Sequence, residues 1–185
     1  MQATPTRLPE VLLIEAERHG DARGFFCESY NRRDFARATG LDLDFVQDNH
    51  SHSAGGTLRG LHYQLTRPQG KLVRVMSGRI FDVAVDLRRH SPRFASWVAV
   101  ELGAETEHQL WIPPGFAHGF LVLSEAADVC YKTTEYWDHA SDRSLRWNDP
   151  VIGIDWPEAA GPGGLPRLSE KDRLAPLLAQ AELFD

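Results

Sequence analysis

Short segments of alternating apolar and polar residues, each closed by a turn pair, fill most of this chain and leave room for little except β-structure. The clearest covers 80–87, where Phe81, Val83, Val85 and Leu87 recur at every second position with Asp82 and Asp86 between them. That is the period of a half-buried strand. Immediately upstream, 72–76 is apolar and basic, and Ser77-Gly78 is a tight-turn pair, so the two segments read as a hairpin. Further strands are expected over 11–16, 25–29, 57–64, 97–102, 109–112, 119–123 and 128–136. Gly55-Gly56, Arg67-Pro68-Gln69-Gly70, Ser91-Pro92 and Pro113-Pro114-Gly115 punctuate them. Many short strands spaced this way predict a sandwich, jelly roll or small barrel.

Helix is sparse. Asn31 is placed to cap a short helix running to Thr39, with Asp34 in its first turn and Gly40 ending it. Beyond 158–167, rich in glycine and proline, Ser169-Glu170-Lys171-Asp172 has the form of a capping box, and Pro176 suits the first turn of a final helix through Leu183. The expected organisation is a single domain over 1–185: a strand-rich core over 1–157, then a C-terminal loop and short helix over 158–185.

Composition excludes several classes. At 185 residues, with 42% hydrophobic and 25% charged, the chain suits one soluble globular unit. It has no apolar run near the roughly 20 residues of a membrane span, and its first residues hold no apolar block of signal-peptide type, so the expected compartment is the cytoplasm. Cys27 and Cys130 lie far apart without metal-type spacing and are expected to be reduced. A formal net charge of −6 argues against a surface that coats nucleic acid, while leaving room for an anionic small molecule held by local arginines.

The histidines carry the chemical questions. His50 and His52 share one face if their segment is a strand, the start of a metal site in many barrels, with His118 as a distant third ligand. No acid follows before Asp82, so that set is incomplete, and a polar loop ahead of Gly55-Gly56 is the plainer reading of His52. His62, in Leu58-Arg59-Gly60-Leu61-His62-Tyr63-Gln64, is by itself an ordinary hydrogen-bonded strand histidine. Arg59 nearby and Lys71 on the next strand bring catalysis into view. In a regular strand Arg59 and His62 face opposite sides, and a bulge at Gly60 brings both to one cavity. Residue by residue, Asp172 is a helix-capping acid and Tyr131 a packing residue with a wet hydroxyl.

Read together, the motifs resemble those of the dTDP-4-dehydrorhamnose 3,5-epimerases, enzymes that epimerise the keto-sugar precursor of dTDP-rhamnose. The likeness runs from about Leu8 to Asp172. It rests on Gly20-Asp21-Ala22-Arg23-Gly24-Phe25-Phe26, Phe45-Val46-Gln47-Asp48-Asn49-His50-Ser51, the His62 block, Gln69-Gly70-Lys71-Leu72-Val73-Arg74-Val75, Trp111-Ile112-Pro113-Pro114-Gly115-Phe116-Ala117-His118-Gly119-Phe120, Tyr131-Lys132-Thr133-Thr134 and Ser169-Glu170-Lys171-Asp172.

The resemblance implies an all-β, cupin-type jelly-roll barrel with a few short flanking helices, a homodimer built partly by strand exchange, and neither a catalytic metal nor another cofactor. It implies a dTDP-4-keto-6-deoxy sugar as substrate, inverted at C3 and C5. By the same resemblance His62 is the base, Asp172 its partner, Tyr131 the acid on the opposite face and Lys71 the enolate stabiliser. Arg23 and Arg59 are diphosphate clamps; Glu28, Gln47 and Asn49 contact the nucleotide; His118 and Lys171 line the site. Trp137 stands where the family commonly has a thymine-stacking tyrosine, and Asp142 where glutamate is usual.

These residue types suit the reaction. Hydrogens beside a ketone are acidic enough to remove if a base, an enolate stabiliser and an acid on the other face are all in place. Three other readings remain open at this level: a mono-epimerase acting at C3 or C5 alone, a metal-dependent cupin oxygenase using His50, His52 and His118, and a sugar-nucleotide-binding protein without catalysis.

Overall fold

The computed structural model describes residues 1–159 and 162–185. Its larger sheet has six strands in the order β1 (Gln2–Pro5), β2 (Leu12–Glu15), β10 (His108–Ile112), β7 (Lys71–Ser77), β12 (Ala126–Thr133) and β5 (Gln47–Ala54). The smaller has five, ordered β13 (Asp142–Ser144), β6 (Leu58–Gln64), β11 (Phe116–Val122), β8 (Arg79–Asp86) and β9 (Trp97–Gly103). Every paired neighbour is antiparallel. The sheets face each other as a jelly roll, and β3 (Arg18–Asp21) with β4 (Gly24–Cys27) forms a separate hairpin.

The inward rows make the core. Val73, Val75 and Val129 of one sheet pack against Ile80, Ala84, Phe116, Phe120 and Val122 of the other, each fully buried large side chain contributing about 1.5–3 kcal/mol. Outside the larger sheet, α1 (Arg32–Thr39) lays Phe35 on Ile14, Leu72 and Trp111. This helix follows its sequence signals: the Asn31 side chain accepts from the N–H groups of Arg33 and Asp34, and Gly40 takes the left-handed conformation at φ 75°.

Two expectations are corrected. The segments around Ser77-Gly78 do not form a hairpin: β7 pairs with β10 and β12, whereas β8 pairs with β11 and β9 in the other sheet. Gly78, at φ 78°, lies so close to the Ala126 carbonyl that a Cβ would not fit, and there the chain crosses from sheet to sheet. Nor is β8 half-buried. Val83, Val85 and Leu87 are covered from outside by Leu145, Ile152 and Leu178, so both faces of the strand are buried and Asp82 and Asp86 are 0% exposed.

At the C-terminus, α2 (Glu170–Arg173) starts at Ser169, whose hydroxyl accepts from the Asp172 N–H at 3.1 Å. The expected final helix through Leu183 reduces to a 3₁₀ turn over Leu178–Gln180. Its residues are held instead by tertiary contacts, with Tyr63 Oη donating to the Glu182 carbonyl and Leu183 and Phe184 packed on the sheet. The 158–167 loop contains a 3₁₀ turn over Pro162–Gly164, and its positions 160–161 lie outside the described residues. Cys27 and Cys130 are free thiols. Among the described residues no helix is long and apolar enough to cross a membrane.

Candidate active site

The inward rows turn polar where Arg59, His62, Lys71, His118 and Tyr131 replace aliphatic residues, and a cavity of about 240 Å³ opens among them. One irregularity makes this possible. Along the β6–β11 pairing, His118 faces His62 and Phe120 faces Arg59, so β6 carries one extra residue between those pairs. Gly60 sits in that bulge at φ 122°. The extra residue brings Arg59 and His62 to the same cavity, as the glycine suggested.

His62 and Asp172 meet although they are far apart in sequence. Nε2 of His62 donates to Asp172 Oδ1 at 2.5 Å, and Asp172 is 2% exposed. Burial works against the carboxylate, but the His62 ring above all, with Ser169 and the Gly60 backbone, holds it below the usual carboxylate range. With Nε2–H committed to Asp172, Nδ1 is the ring nitrogen left for proton transfer. Helix capping and catalysis are therefore compatible for Asp172: its backbone N–H goes to Ser169 while its carboxylate goes to His62.

Lys71, at 8% exposed, donates from Nζ to the His62 carbonyl at 3.3 Å. Burial lowers its pKa to about 8, against the pull of Asp142 and Asp82 and with the push of Lys171. Such an amine is a cation at neutral pH held out of water, where its field acts at full strength. Burial raises the Tyr131 phenol above its ordinary value, with Arg59 opposing and Asp142 reinforcing, so the hydroxyl keeps its proton. His118 is buried, its Nε2–H shared by both oxygens of Asp82 at 3.0 and 3.1 Å, and its ring meets Tyr131 edge to face at 6.5 Å.

The mouth is built from Trp137, Asp142 and Lys171. Lys171 Nζ donates to Asp142 Oδ2 at 2.5 Å, and Trp137 is 56% exposed. Gln47 accepts from the Trp137 backbone N–H at 3.0 Å and donates to Asn49 Oδ1 at 2.9 Å, so both are tied to the Trp137 segment without lining the cavity themselves. Arg59 donates to Ser53 Oγ at 2.9 Å. Arg23 and Glu28 are elsewhere: both are exposed on or beside the β3–β4 hairpin, Arg23 pairs with Asp21, and neither lines the cavity.

The motifs gave no site role to Ser51, Tyr63, Gln64, Gln69 or Phe120, all of which line the cavity, nor to Asp82 beneath His118. Ser51 lines the cavity with a buried hydroxyl that has no hydrogen-bond partner, a feature no sequence pattern signals. Asp82 was placed only as the polar alternation of a strand. The metal reading fails on geometry. His50 and His52 project from the outer face of β5 onto Asp128, at 3.0 and 3.2 Å, whereas His118 and Ser51 point inward. Among the described residues, no group of three or more His, Cys, Asp or Glu is placed to hold a metal ion.

Jelly roll and cavity together define an isomerase of the cupin type, with titratable side chains gathered around one interior cavity. The sequence profile described as dTDP-4-dehydrorhamnose 3,5-epimerase matches residues 5–180. Similar relatives are the enzymes of that name from Pseudomonas aeruginosa, 55% identical across 100% of this chain and 99% of that protein, and Salmonella typhimurium, 54% identical across 97% of each. A solved structure of dTDP-6-deoxy-D-glucose-3,5-epimerase from Legionella pneumophila, in complex with dTDP-4-keto-L-rhamnose, superposes with a TM-score of 0.93 at 47% identity, covering 98% of this chain and 94% of that one. The chain belongs to the dTDP-4-dehydrorhamnose 3,5-epimerase family.

Proposed function

We propose that this chain, as one domain, inverts C3 and C5 of dTDP-4-dehydro-6-deoxy-D-glucose to give dTDP-4-dehydro-L-rhamnose. The observation that carries this reading is the convergence of the His62–Asp172 pair, Lys71 and Tyr131 on a single cavity. Nδ1 of His62 takes a proton from the carbon beside the ketone. Asp172, anionic and buried, favours the imidazolium that results. The Lys71 ammonium stabilises the charge that moves onto the ketone oxygen. Tyr131, kept protonated by burial, returns a proton from the other face and inverts the carbon. Repeating the cycle at the second carbon uses the same groups, because both carbons flank one carbonyl.

A cavity of about 240 Å³ is smaller than the roughly 300 Å³ and more of sites that enclose drug-sized ligands. It therefore holds the sugar and leaves the nucleotide to the mouth, where Trp137 stacks on the base and Gln47, Asn49, Asp142, Lys171 and Arg59 supply polar contacts. Arg23 and Glu28 are too far out to join them within one chain. Their hairpin carries Phe25 and Phe26, 51% and 70% exposed, which suits insertion into a second copy. In that homodimer each hairpin contributes Arg23 and Glu28 to its partner's cavity. Sedimentation equilibrium should give a dimer mass; a monomer at assay concentrations would remove this part of the reading.

Substrate incubated with enzyme in deuterated water should acquire deuterium at both C3 and C5. Label at only one carbon would make the enzyme a mono-epimerase, and label at neither would overturn the epimerase reading. The pH dependence has a definite sign. Lys71 acts as an ammonium with a pKa of about 8, so the rate of label uptake should fall as pH rises through about 8. A rate flat up to pH 10 would exclude a protonated Lys71 from the reaction.

A further inference from the structure

Beneath the cavity lies a charge the mechanism above does not use. Asp82, in the middle of β8, is 0% exposed, and both of its oxygens accept from the single Nε2–H of His118. One N–H leaves most of the carboxylate's lone pairs unspent. A carboxylate wholly removed from water stays ionised only against nearby positive charge. Among the described residues, no arginine or lysine pairs directly with Asp82. Lys71 lines the same cavity as His118, from β7 in the opposite sheet, and Asp82 is among the charges that oppose the effect of burial on its amine.

The other charged groups around Lys71 have partners of their own. Asp142 on β13 and Lys171 on α2 hold each other at 2.5 Å. His62 on β6 is committed to Asp172, and Arg59 on the same strand to Ser53. Tyr131 on β12 keeps its phenolic proton. Asp82 is thus the negative charge at the floor of the cavity that no arginine or lysine already holds.

We propose that Asp82 is a positioning residue for the epimerisation, locking the His118 ring through Nε2–H and supplying the fixed charge against which Lys71 remains an ammonium while the enolate forms. This rests on the epimerase reading. A carboxylate near an oxyanion opposes it by direct repulsion, so Asp82 helps only through Lys71 and His118. With Nε2–H donated downward, the neutral His118 ring offers Nδ1 as an acceptor to a substrate hydroxyl, and one tautomer is selected.

Asp82→Asn keeps the shape and removes the charge. Its deuterium-uptake profile should lose its alkaline limb about one pH unit earlier than wild type, with kcat down about two-fold at about pH 7 and about tenfold above about pH 9, and KM within about two-fold. Asp82→Glu, which keeps the charge, should restore the position of the limb. Lys71 can also be titrated without substrate, by its acetylation rate with acetic anhydride across pH, read by mass spectrometry on folded protein. There Asp82→Asn should move the Lys71 titration down. His118→Leu, which removes the ring N–H and leaves the carboxylate to Lys71 alone, should move it up, and this arm serves even if Asp82→Asn folds poorly. A titration unmoved in these variants overturns the proposal. Because that readout needs no turnover, a wild type that took up no label would overturn the epimerase reading and still report on Asp82.

Discussion

Replacing His62 by alanine is expected to slow label uptake at both carbons by about 10²–10⁴-fold, the usual contribution of a positioned general base, while dTDP binding measured by calorimetry changes little. The geometry behind this is specific. Nε2 is held by a carboxylate 2% exposed, which fixes the ring plane and leaves Nδ1 as the only ring nitrogen able to take a proton. Alanine removes the acceptor but touches neither Trp137 nor the Gln47–Asn49 pair at the mouth. Asp172→Asn is a separate probe, because it keeps the ring and takes away the charge that favours imidazolium. Base and partner act as a unit, so the double variant should cost little more than His62→Ala alone. Turnover unchanged in His62→Ala would remove this residue from the mechanism. A double variant whose loss equals the product of the two single losses would show that Asp172 does not act through the ring.

Much of this was legible in the residues, and the gaps have physical causes. Strand periodicity and turn pairs located most of the strands, because alternation is a local consequence of burying one face. The same rule failed at β8, where the C-terminal segment covers the apolar face and the face of Asp82 and Asp86, which should have been wet, turns into the interior with Ile80 and Ala84. It also failed at β5, whose inward positions Gln47, Asn49, Ser51 and Ser53 are polar because they line a cavity and its surroundings rather than a core. A strand that builds a site loses the apolar signature by which strands are found. Ser77-Gly78 was rightly seen as a turn, but a turn does not say which sheet the next strand joins.

Within the site, the residues did not speak alone. Asp172 carries the pattern of a capping box and makes the cap, and nothing local reveals that its carboxylate reaches His62. Only the ordered family motifs joined the two before the fold did. Gly60 is the opposite case, since the need for a bulge between Arg59 and His62 followed from the two-residue period of a strand and from glycine at that position.

That glycine sets the second large effect. Gly60→Ala should destabilise the protein by about 2–6 kcal/mol, through about 1–3 kcal/mol of strain at φ 122° and a similar cost of overpacking. A Cβ at this position would lie 2.5 Å from the Gly119 Cα and 2.8 Å from the His118 carbonyl oxygen. These are backbone atoms of the adjacent strand and have no rotamer to escape into, so relief requires β6 and β11 to part where His118 stands opposite His62. A displacement of about 1 Å there is enough to cost on the order of 10²-fold in rate. Gly40→Ala is the control, since Gly40 also has a positive φ of 75° but nothing within 4 Å of its would-be Cβ; it should show strain without the clash. The urea midpoint should therefore fall further in Gly60→Ala than in Gly40→Ala with m unchanged, and only Gly60→Ala should lose activity beyond its loss of folded protein. Equal midpoints and equal specific activities in the two variants would mean that the strands part freely, and that the bulge is not what holds His62 in register with its acid and its oxyanion partner.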